Sequence, residues 1–294
     1  VDVLNLLKNS WNNTSYHVYA VVAPAVSSQF QGVKTEQVYA GIKELGFYDV
    51  VEAAIGADMV SAFEAKELAE TVEEKGWKTS SCCPAFVDYV EKNYPQFVDH
   101  ISTAVSPMIA TARAIKAKDK KARVVFVGPC TAKKVEMKRE ALKDAVDIVI
   151  TFEELQAIFD AREIDLVSLE PRMAGEASSF GRNFARTGGV TESVAHTLEL
   201  SGLELGVKAV RCNGIDECIK AMKMASFGKL DANFIEGMAC KHGCTGGAAS
   251  LLHDAKGIEM INRYGKESKT DNPLDILEKF PIDNINMERF NHED

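Results

Sequence analysis

The sequence predicts an α/β fold built on mostly parallel sheets. Short apolar runs alternate with helix-like segments along most of the chain, and the 294 residues are 46% apolar, enough to bury a sizeable core. No internal repeat or low-complexity stretch interrupts this alternation. Strands joined by helices form parallel sheets, and binding sites collect where loops leave the carboxyl ends of those strands.

The elements follow one another as strand-then-helix pairs. An apolar run closed by proline, "HVYAVVAPAV", predicts a buried strand, and the next segment places Val38, Ile42 and Leu45 on one helical face. Thr151 and Glu154 form a capping box at the start of another helix. The predicted strands, each with the helix that follows it, are 17–26 with 37–47, 48–55 with 58–74, 121–130 with 131–142, 145–151 with 151–160, 205–212 with 214–225, and 231–240 with 243–253.

Two regions fall outside this pattern. Residues 163–200 are irregular and rich in Gly and Ser, which predicts a long loop over a site or a bridge between two lobes. The polar tail from about 262 contains one amphipathic stretch that packs on the body or docks a partner. We therefore expect a main domain at 1–260 and a C-terminal extension at 261–294.

Charge and hydropathy narrow the possible partners. The net charge of −9 argues against a general nucleic-acid binder, which needs a basic face to neutralise phosphates. No apolar run is long enough to span a bilayer, and the first residues do not resemble a signal peptide. We expect a cytoplasmic protein that is not inserted in a membrane and that acts on small molecules or protein partners.

The cysteines indicate metal or redox chemistry. Cys83, Cys130 and Cys240 each follow an apolar run, and Cys244 follows four residues later, so four thiolates could converge from three loops. Four thiolates bind zinc or hold an iron–sulfur cluster. Because no paired Cys-x-x-Cys knuckles occur, the spacing favours a cluster, with buried free cysteines as the alternative. We interpret the remaining two cysteines, at 212 and 218, as buried free cysteines.

Three segments around these cysteines resemble a known family. "SSCCPAF", "GPCTAKKVE" and "EGMACKHGC" are similar to the three motifs of the catalytic domain of iron-only hydrogenases. "VAPAV", "GADMVSAFEAKEL" and "TGGVTESV" add to the similarity in the family's order, so that it runs from about residue 17 to 254. The resemblance implies two α/β lobes that close over a buried metal cluster.

The resemblance also implies the cofactor and its ligands. Cys83, Cys130, Cys240 and Cys244 would hold a 4Fe–4S cluster, with Cys244 bridging to a two-iron subcluster that carries CO, cyanide and an azadithiolate. The two parts together form the H-cluster. The resemblance implies that Cys82 places a thiol beside the bridging amine. Adjacent residues of an extended segment point to opposite sides, so one cysteine can bind the cluster while the other faces the pocket.

Other positions match the proton relay and the cofactor pocket of that family. Glu64, Glu67 and Ser102 match relay residues, and the two glutamates lie on one face of a predicted helix. Lys133 would hydrogen-bond a cyanide, and Glu136 is expected near it. The residues that would line the pocket around the two-iron unit are Ala23, Pro24, Ala25 and Met238.

The chain departs from the family pattern at several positions. Gly128 stands where well-studied members carry a methionine that packs against the two-iron unit, and we expect its loss to open space. Met108 stands where the family commonly has a glutamine. The third motif also departs, because Lys241 and His242 stand where the family has another residue followed by a glycine. We expect His242 to be either a solvated loop residue or a hydrogen-bond donor near the cluster. These departures indicate a divergent member with altered rate, bias or a sensory role.

The function expected from the resemblance is reversible conversion of two protons and two electrons to H2. The implied partners are H2 and protons, a ferredoxin or electron-transfer subunit, and maturation proteins that deliver the two-iron unit. The alternatives are an H2 sensor of low activity, a hydrogenase-like iron–sulfur assembly or scaffold protein, and a zinc-bound structural protein. A scaffold needs no relay thiol or relay glutamates, so Cys82 argues against it.

Overall fold

A computed structural model describes residues 1–173, 175–203 and 205–290 of the chain. The strands are β1 His17–Val22, β2 Asp49–Glu52, β3 Lys78–Thr79, β4 Ala122–Gly128, β5 Ile148–Thr151, β6 Ala209–Val210 and β7 Phe234–Ile235. The helices are α1 Asp2–Asn9, α2 Thr35–Glu44, α3 Ala54–Lys75, α4 Pro84–Asn93, α5 Pro107–Lys118, α6 Lys133–Glu136, α7 Phe152–Ala161, α8 Ser179–Asn183, α9 Gly189–Leu200, α10 Ile215–Ser226, α11 Gly257–Lys266 and α12 Asp275–Lys279.

The strands form two parallel sheets. The four-stranded sheet has the order β2-β1-β4-β5, and the three-stranded sheet has the order β3-β7-β6. In the first sheet, His17 of β1 lies opposite Ala122 of β4, and both strands are almost continuously apolar and buried. That pattern is typical of parallel strands covered on both faces by helices. The predicted α/β fold class is therefore confirmed.

Local signals account for the best-predicted helix. The Thr151 hydroxyl accepts a hydrogen bond from the Glu154 amide at 3.1 Å, and the Glu154 carboxylate accepts one from the Thr151 amide at 2.8 Å. This reciprocal capping box satisfies two amides that the first turn of α7 would leave unpaired. The prediction from the sequence is confirmed in detail at this position.

Two predicted helices are wrong. The segment 131–142 forms only the short helix α6 and a 3-10 turn at Glu140–Leu142, and 243–253 forms only a 3-10 turn at Cys244–Gly246. A continuous helix cannot start at 243 because Gly243 has a φ of 72°. The region 163–200 is less irregular than expected, since it contains α8 and the twelve-residue helix α9.

The apolar core is divided between the two sheets. The larger cluster surrounds β1 and β4, whereas a second cluster gathers Trp77, Phe86 and Ile235 beside the three-stranded sheet. The boundary predicted at residue 260 lies within α11, which packs against α8. The division into a main domain and an extension stays a prediction.

A buried ion pair joins α8 to the first sheet, and α11 adds a hydrogen bond to it. The Arg182 guanidinium donates to both carboxylate oxygens of Glu52 at 2.8 Å, and each residue is 2% exposed. The Tyr264 hydroxyl of α11 donates to the same carboxylate at 2.8 Å. This bidentate geometry offsets the cost of burying two charges, and it connects β2, α8 and α11.

Candidate metal centre and active site

The predicted site residues converge on one cavity between the two sheets. The cavity has a volume of about 90 Å³, and its walls are almost wholly apolar. Its lining includes Cys82, Cys83, Cys130, Cys240, Cys244, Lys133, Met238, Ala23 and Pro24. Residues from three loops, far apart in the sequence, therefore meet at the place where the carboxyl ends of the strands lie.

Two of the cavity cysteines lie at the ends of regular elements. Cys83 precedes Pro84, the first residue of α4, and Cys130 lies just after β4. Gly247 lets the loop after Cys244 lie against the loop that carries Cys130. A Cβ at residue 247 would lie only 2.5 Å from the Pro129 carbonyl oxygen. The Ala249 amide donates to that same oxygen at 2.9 Å. This close approach places Cys130 and Cys244 on one cavity wall.

The thiols of the site are costly to ionise without a cation. Burial raises the pKa of Cys83 to about 11, and the pKa values of Cys82, Cys240 and Cys244 are also raised, chiefly by burial. The neighbouring thiols add to the effect, because thiolates that share an apolar cavity repel one another. Metal coordination reverses this penalty, since a bound metal deprotonates its thiol ligands.

The donor set fits an iron–sulfur cluster. All seven cysteines are free, so no disulfide removes a ligand from the site. Within the described ranges, no group of three or more His, Cys, Asp or Glu is arranged to hold a single metal ion. A zinc ion needs four sulfurs about 2.3 Å from one point. Four soft thiol ligands from separate loops around an apolar cavity are the donor set that an iron–sulfur cluster uses.

Lys133 and Glu136 form a buried pair at the cavity. The Lys133 ammonium donates to Glu136 Oε2 at 2.8 Å and to the Cys82 carbonyl oxygen at 3.3 Å. Burial disfavours the charge of Lys133, but Glu136 more than offsets it, so the pKa of Lys133 is raised. The expected pairing of Glu136 with the lysine is confirmed. An ammonium held in an apolar wall can donate to an anionic ligand.

Phe126 fills the space expected beside Gly128. A Cβ at residue 128 would lie 2.6 Å from the Phe126 ring and 3.2 Å from the Ala23 Cβ. Phe126 is buried and lines the cavity. The expectation that Gly128 opens space is therefore wrong: the two residues share one face of β4, and the ring covers the position that a side chain at 128 would need. Met108 lines the same cavity.

Glu64 lies close to the thiol end of the site. Its Oε1 accepts from the Ser81 amide at 3.0 Å and contacts the Ser81 hydroxyl at 3.3 Å. Burial raises the pKa of Glu64 to about 8, and the Ser81 amide and the nearby Ser102 hydroxyl lower it in part. In the part of the chain that the structure describes, Glu64 Oε2 has no hydrogen-bond partner. A carboxyl with this pKa can exchange a proton near neutral pH.

Glu67 is held by an ion pair that the sequence did not reveal. Its Oε1 accepts from the Lys78 ammonium at 2.8 Å and from the Thr103 amide at 3.0 Å. The Lys78 and Glu67 side chains are 6% and 11% exposed. Lys78 is a lone lysine in β3, and nothing in its local sequence connects it with a glutamate eleven positions earlier. Ser102 lies next to this pair, and its hydroxyl accepts from the Ala104 amide at 3.1 Å.

The remaining predicted residues lie outside this arrangement or at its edge. Ala25 is buried behind Ala23 and Pro24 rather than in the cavity lining. His242 has a φ of 66°, and its amide donates to the Asn213 side chain at 2.6 Å. The cysteines predicted to be buried and free, at 212 and 218, lie in the second apolar cluster.

Fold and site together define an α/β protein with five thiols and an ammonium around an apolar cavity. A sequence model described as "Iron only hydrogenase large subunit, C-terminal domain" matches residues 16–248. The chain thus belongs to this family of iron-only hydrogenase domains, of which it is a divergent member.

Relatives and solved structures agree with this assignment. Iron hydrogenase 1 of Clostridium pasteurianum is 30% identical in an alignment 312 residues long, gaps included, and the alignment covers 88% of this chain and 54% of that protein. The cytosolic Fe–S cluster assembly factor NAR1 of Sclerotinia sclerotiorum is 32% identical over 172 residues, 51% of this chain and 29% of that protein. This chain spans about half the length of the hydrogenases that it matches, 54% and 47% in two cases.

The fold is shared with a FeFe-hydrogenase variant from Chlamydomonas reinhardtii. The TM-score is 0.74 at 22% sequence identity, and the match covers 96% of this chain and 94% of that chain. Among the described residues, no helix is long and apolar enough to cross a bilayer.

Proposed function

We propose that this chain is the catalytic domain of an iron-only hydrogenase, which interconverts two protons and two electrons with H2. The observation that carries the proposal is the convergence of four cysteines, Cys82 and Lys133 on one apolar cavity. Membership of the hydrogenase family supports the oxidoreductase class. The relatives' names support H2 and an electron-transfer partner.

In this proposal, Cys83, Cys130, Cys240 and Cys244 would hold a 4Fe–4S cluster, and the two-iron unit would be bound beside it in the same cavity. When bound, the complete H-cluster would supply the iron site for H2 chemistry and pass electrons to or from the electron-transfer partner. The protein anchors it, excludes water and positions hydrogen-bond donors. Met238, with Ala23 and Pro24, forms the apolar wall that keeps the site dry.

The chain itself supplies the proton path. Cys82 lines the cavity, and Glu64 Oε1 accepts a hydrogen bond at 3.0 Å from the amide of Ser81, the residue before Cys82. We propose that protons pass between Cys82 and Glu64 and then to Ser102 and Glu67. Lys78 fixes the outer carboxylate of this path.

Infrared spectroscopy tests the proposal on protein matured with the two-iron cofactor, under H2 and then under CO. Sharp CO and cyanide bands that shift with the gas are expected. Protein that contains iron and acid-labile sulfide but gives no such bands would contradict the proposal.

Two cysteine variants test the assignment of roles. Cys82→Ala should leave the cluster spectrum intact and lower H2 turnover by orders of magnitude, because it removes the thiol without removing a ligand. Cys83→Ala should disturb the cluster spectrum itself. Unchanged turnover in Cys82→Ala would contradict the relay role.

One observation favours a second candidate, an iron–sulfur assembly or scaffold function. Relatives named as cytosolic Fe–S cluster assembly factors match about half of the chain. Such a protein would hold the 4Fe–4S cluster without the two-iron unit. The same infrared experiment separates the two functions, since a scaffold would give a cluster spectrum but no CO or cyanide bands.

We also propose that the two sheets correspond to the two lobes that close over the cluster. The ligand loops support this division: Cys130 follows β4 of the first sheet, whereas Cys240 follows β7 of the second. The bridge between the lobes would lie within residues 163–200.

A further inference from the structure

Ser106 carries a hydroxyl that its local structure does not use. It occupies the position before the first residue of α5, where a serine normally accepts from an amide of the first helical turn. Here the side chain makes no capping bond. The hydroxyl is buried in a residue that is 2% exposed, and it has no hydrogen-bond partner among residues 1–173, 175–203 and 205–290.

A small cavity lies beside this hydroxyl. Its volume is about 10 Å³, and its polar lining comes from Ser81, Ser106, Glu136, Arg139 and Arg289. On the same measure, one water needs roughly 10–15 Å³ and two to four polar partners. The cavity therefore matches a single water molecule in both size and polarity.

The charged side chains around the cavity indicate which group such a water would hydrogen-bond. Arg139 lines the cavity, and its guanidinium donates to Asp88 and to Glu91, which do not line it. Glu136 gives Oε2 to the Lys133 ammonium at 2.8 Å. Lys133 thus holds the Glu136 carboxylate at Oε2, and a donor in the cavity would hold the same carboxylate at a second point.

We infer that one water molecule occupies this cavity, bridges the Ser106 hydroxyl to the Glu136 carboxylate, and thereby holds Lys133 in place against the main cavity. Ser106 is then a positioning residue that acts through the water and Glu136. The inference of a water at this site depends only on the size and lining of the cavity and on the unpartnered Ser106 hydroxyl. Its effect on the two-iron unit rests on the proposed function, since Lys133 lines the cavity that would receive that unit.

Ser106→Ala tests the water site in protein without the two-iron unit. A crystal structure that resolves internal waters should show a water beside Ser106 in the wild type and none in the variant. The 2.8 Å distance from Lys133 Nζ to Glu136 Oε2 should lengthen or become variable. An empty cavity in the wild type would overturn the inference. An unchanged Lys133–Glu136 pair in the variant would overturn the positioning role.

Thermal unfolding gives a second, independent readout. If the water is present, Ser106→Ala loses a hydrogen bond, and the midpoint should fall by about 2–4 °C. If the cavity is dry, the change removes an unsatisfied buried hydroxyl, and the midpoint should rise. A rise would overturn the inference. Ser10→Ala is the matched control, because the buried Ser10 hydroxyl donates to the Leu7 carbonyl at 2.7 Å and its loss lowers the midpoint.

In matured protein, the cyanide bands should shift in Ser106→Ala and stay in place in Ser10→Ala. Unshifted bands would overturn the effect on the two-iron unit. If the wild type gives no bands at all, the proposed function fails, while the crystal structures and the unfolding midpoints still decide the water site and the position of Lys133.

Discussion

Restoring a methionine at position 128 should destabilise this protein, although it restores the pattern of well-studied hydrogenases. A Cβ at residue 128 would lie 2.6 Å from one Phe126 ring atom and 2.9 Å from another. Carbon atoms prefer separations of about 3.5–4.0 Å. Both Phe126 and Ala23 are buried, so neither can move outward freely. We expect Gly128→Met to cost about 1–3 kcal/mol of unfolding free energy through overpacking.

A second change in the same space should relieve part of this cost. Phe126→Ala alone should cost about 3–5 kcal/mol because it leaves a cavity. In Phe126→Ala/Gly128→Met, the methionine can occupy the space vacated by the ring. The double variant should therefore be more stable than the sum of the single effects predicts, by roughly 0.5–3 kcal/mol.

Urea unfolding of the four proteins measures this coupling, provided that the dependence on denaturant stays the same in all of them. Phe97→Ala combined with Gly128→Met serves as the control, since Phe97 belongs to the second apolar cluster and the two effects should add. A cost of Gly128→Met below about 0.5 kcal/mol, or additive effects in the Phe126 double variant, would refute the reasoning.

Three further predictions concern buried charges. Lys78→Met leaves Glu67 buried without its partner and should lower the unfolding free energy by about 3–5 kcal/mol. Adding Glu67→Gln to Lys78→Met should restore most of the lost unfolding free energy. If Lys78→Met alone costs less than about 1 kcal/mol in urea unfolding, the prediction of a buried ion pair is contradicted. Arg182→Met should be destabilising to a similar degree because Glu52 loses its bidentate partner, and an unchanged urea midpoint would argue against it. The pKa of Glu64 is raised from 4.5 to about 8, so that between these values the folded state binds more protons than the unfolded state and stability falls as pH rises. Glu64→Gln should therefore flatten the loss of stability between pH 4.5 and 8, and an identical pH profile would count against the assignment.

The sequence was most informative where the signal is local. The capping box of α7 lies within four residues, and the apolar runs of β1 and β4 need no partner to be recognised. The cavity cysteines were predicted because strand ends bring neighbouring loops together. These features depend on short-range chemistry or on a general rule of sheet topology.

The missed features depend on contacts between distant segments. Lys78 and Glu67 pair across two elements, and neither residue differs locally from a surface charge. Alternation along β4 could show that Phe126 and Gly128 share a face, but not that the ring leans over the glycine. The helix α9 was missed because it begins after Gly188, which has a φ of 84° and resembles a loop residue in the sequence.

The spread of the cysteines along the chain has a consequence for folding. A cluster held by residues from 83 to 244 would act as a cross-link that closes long loops between the two sheets, much as a disulfide does in a secreted protein. Metal binding to the folded state alone adds directly to its stability. Iron supply would then govern how long the chain survives proteolysis in the cell, before any turnover takes place.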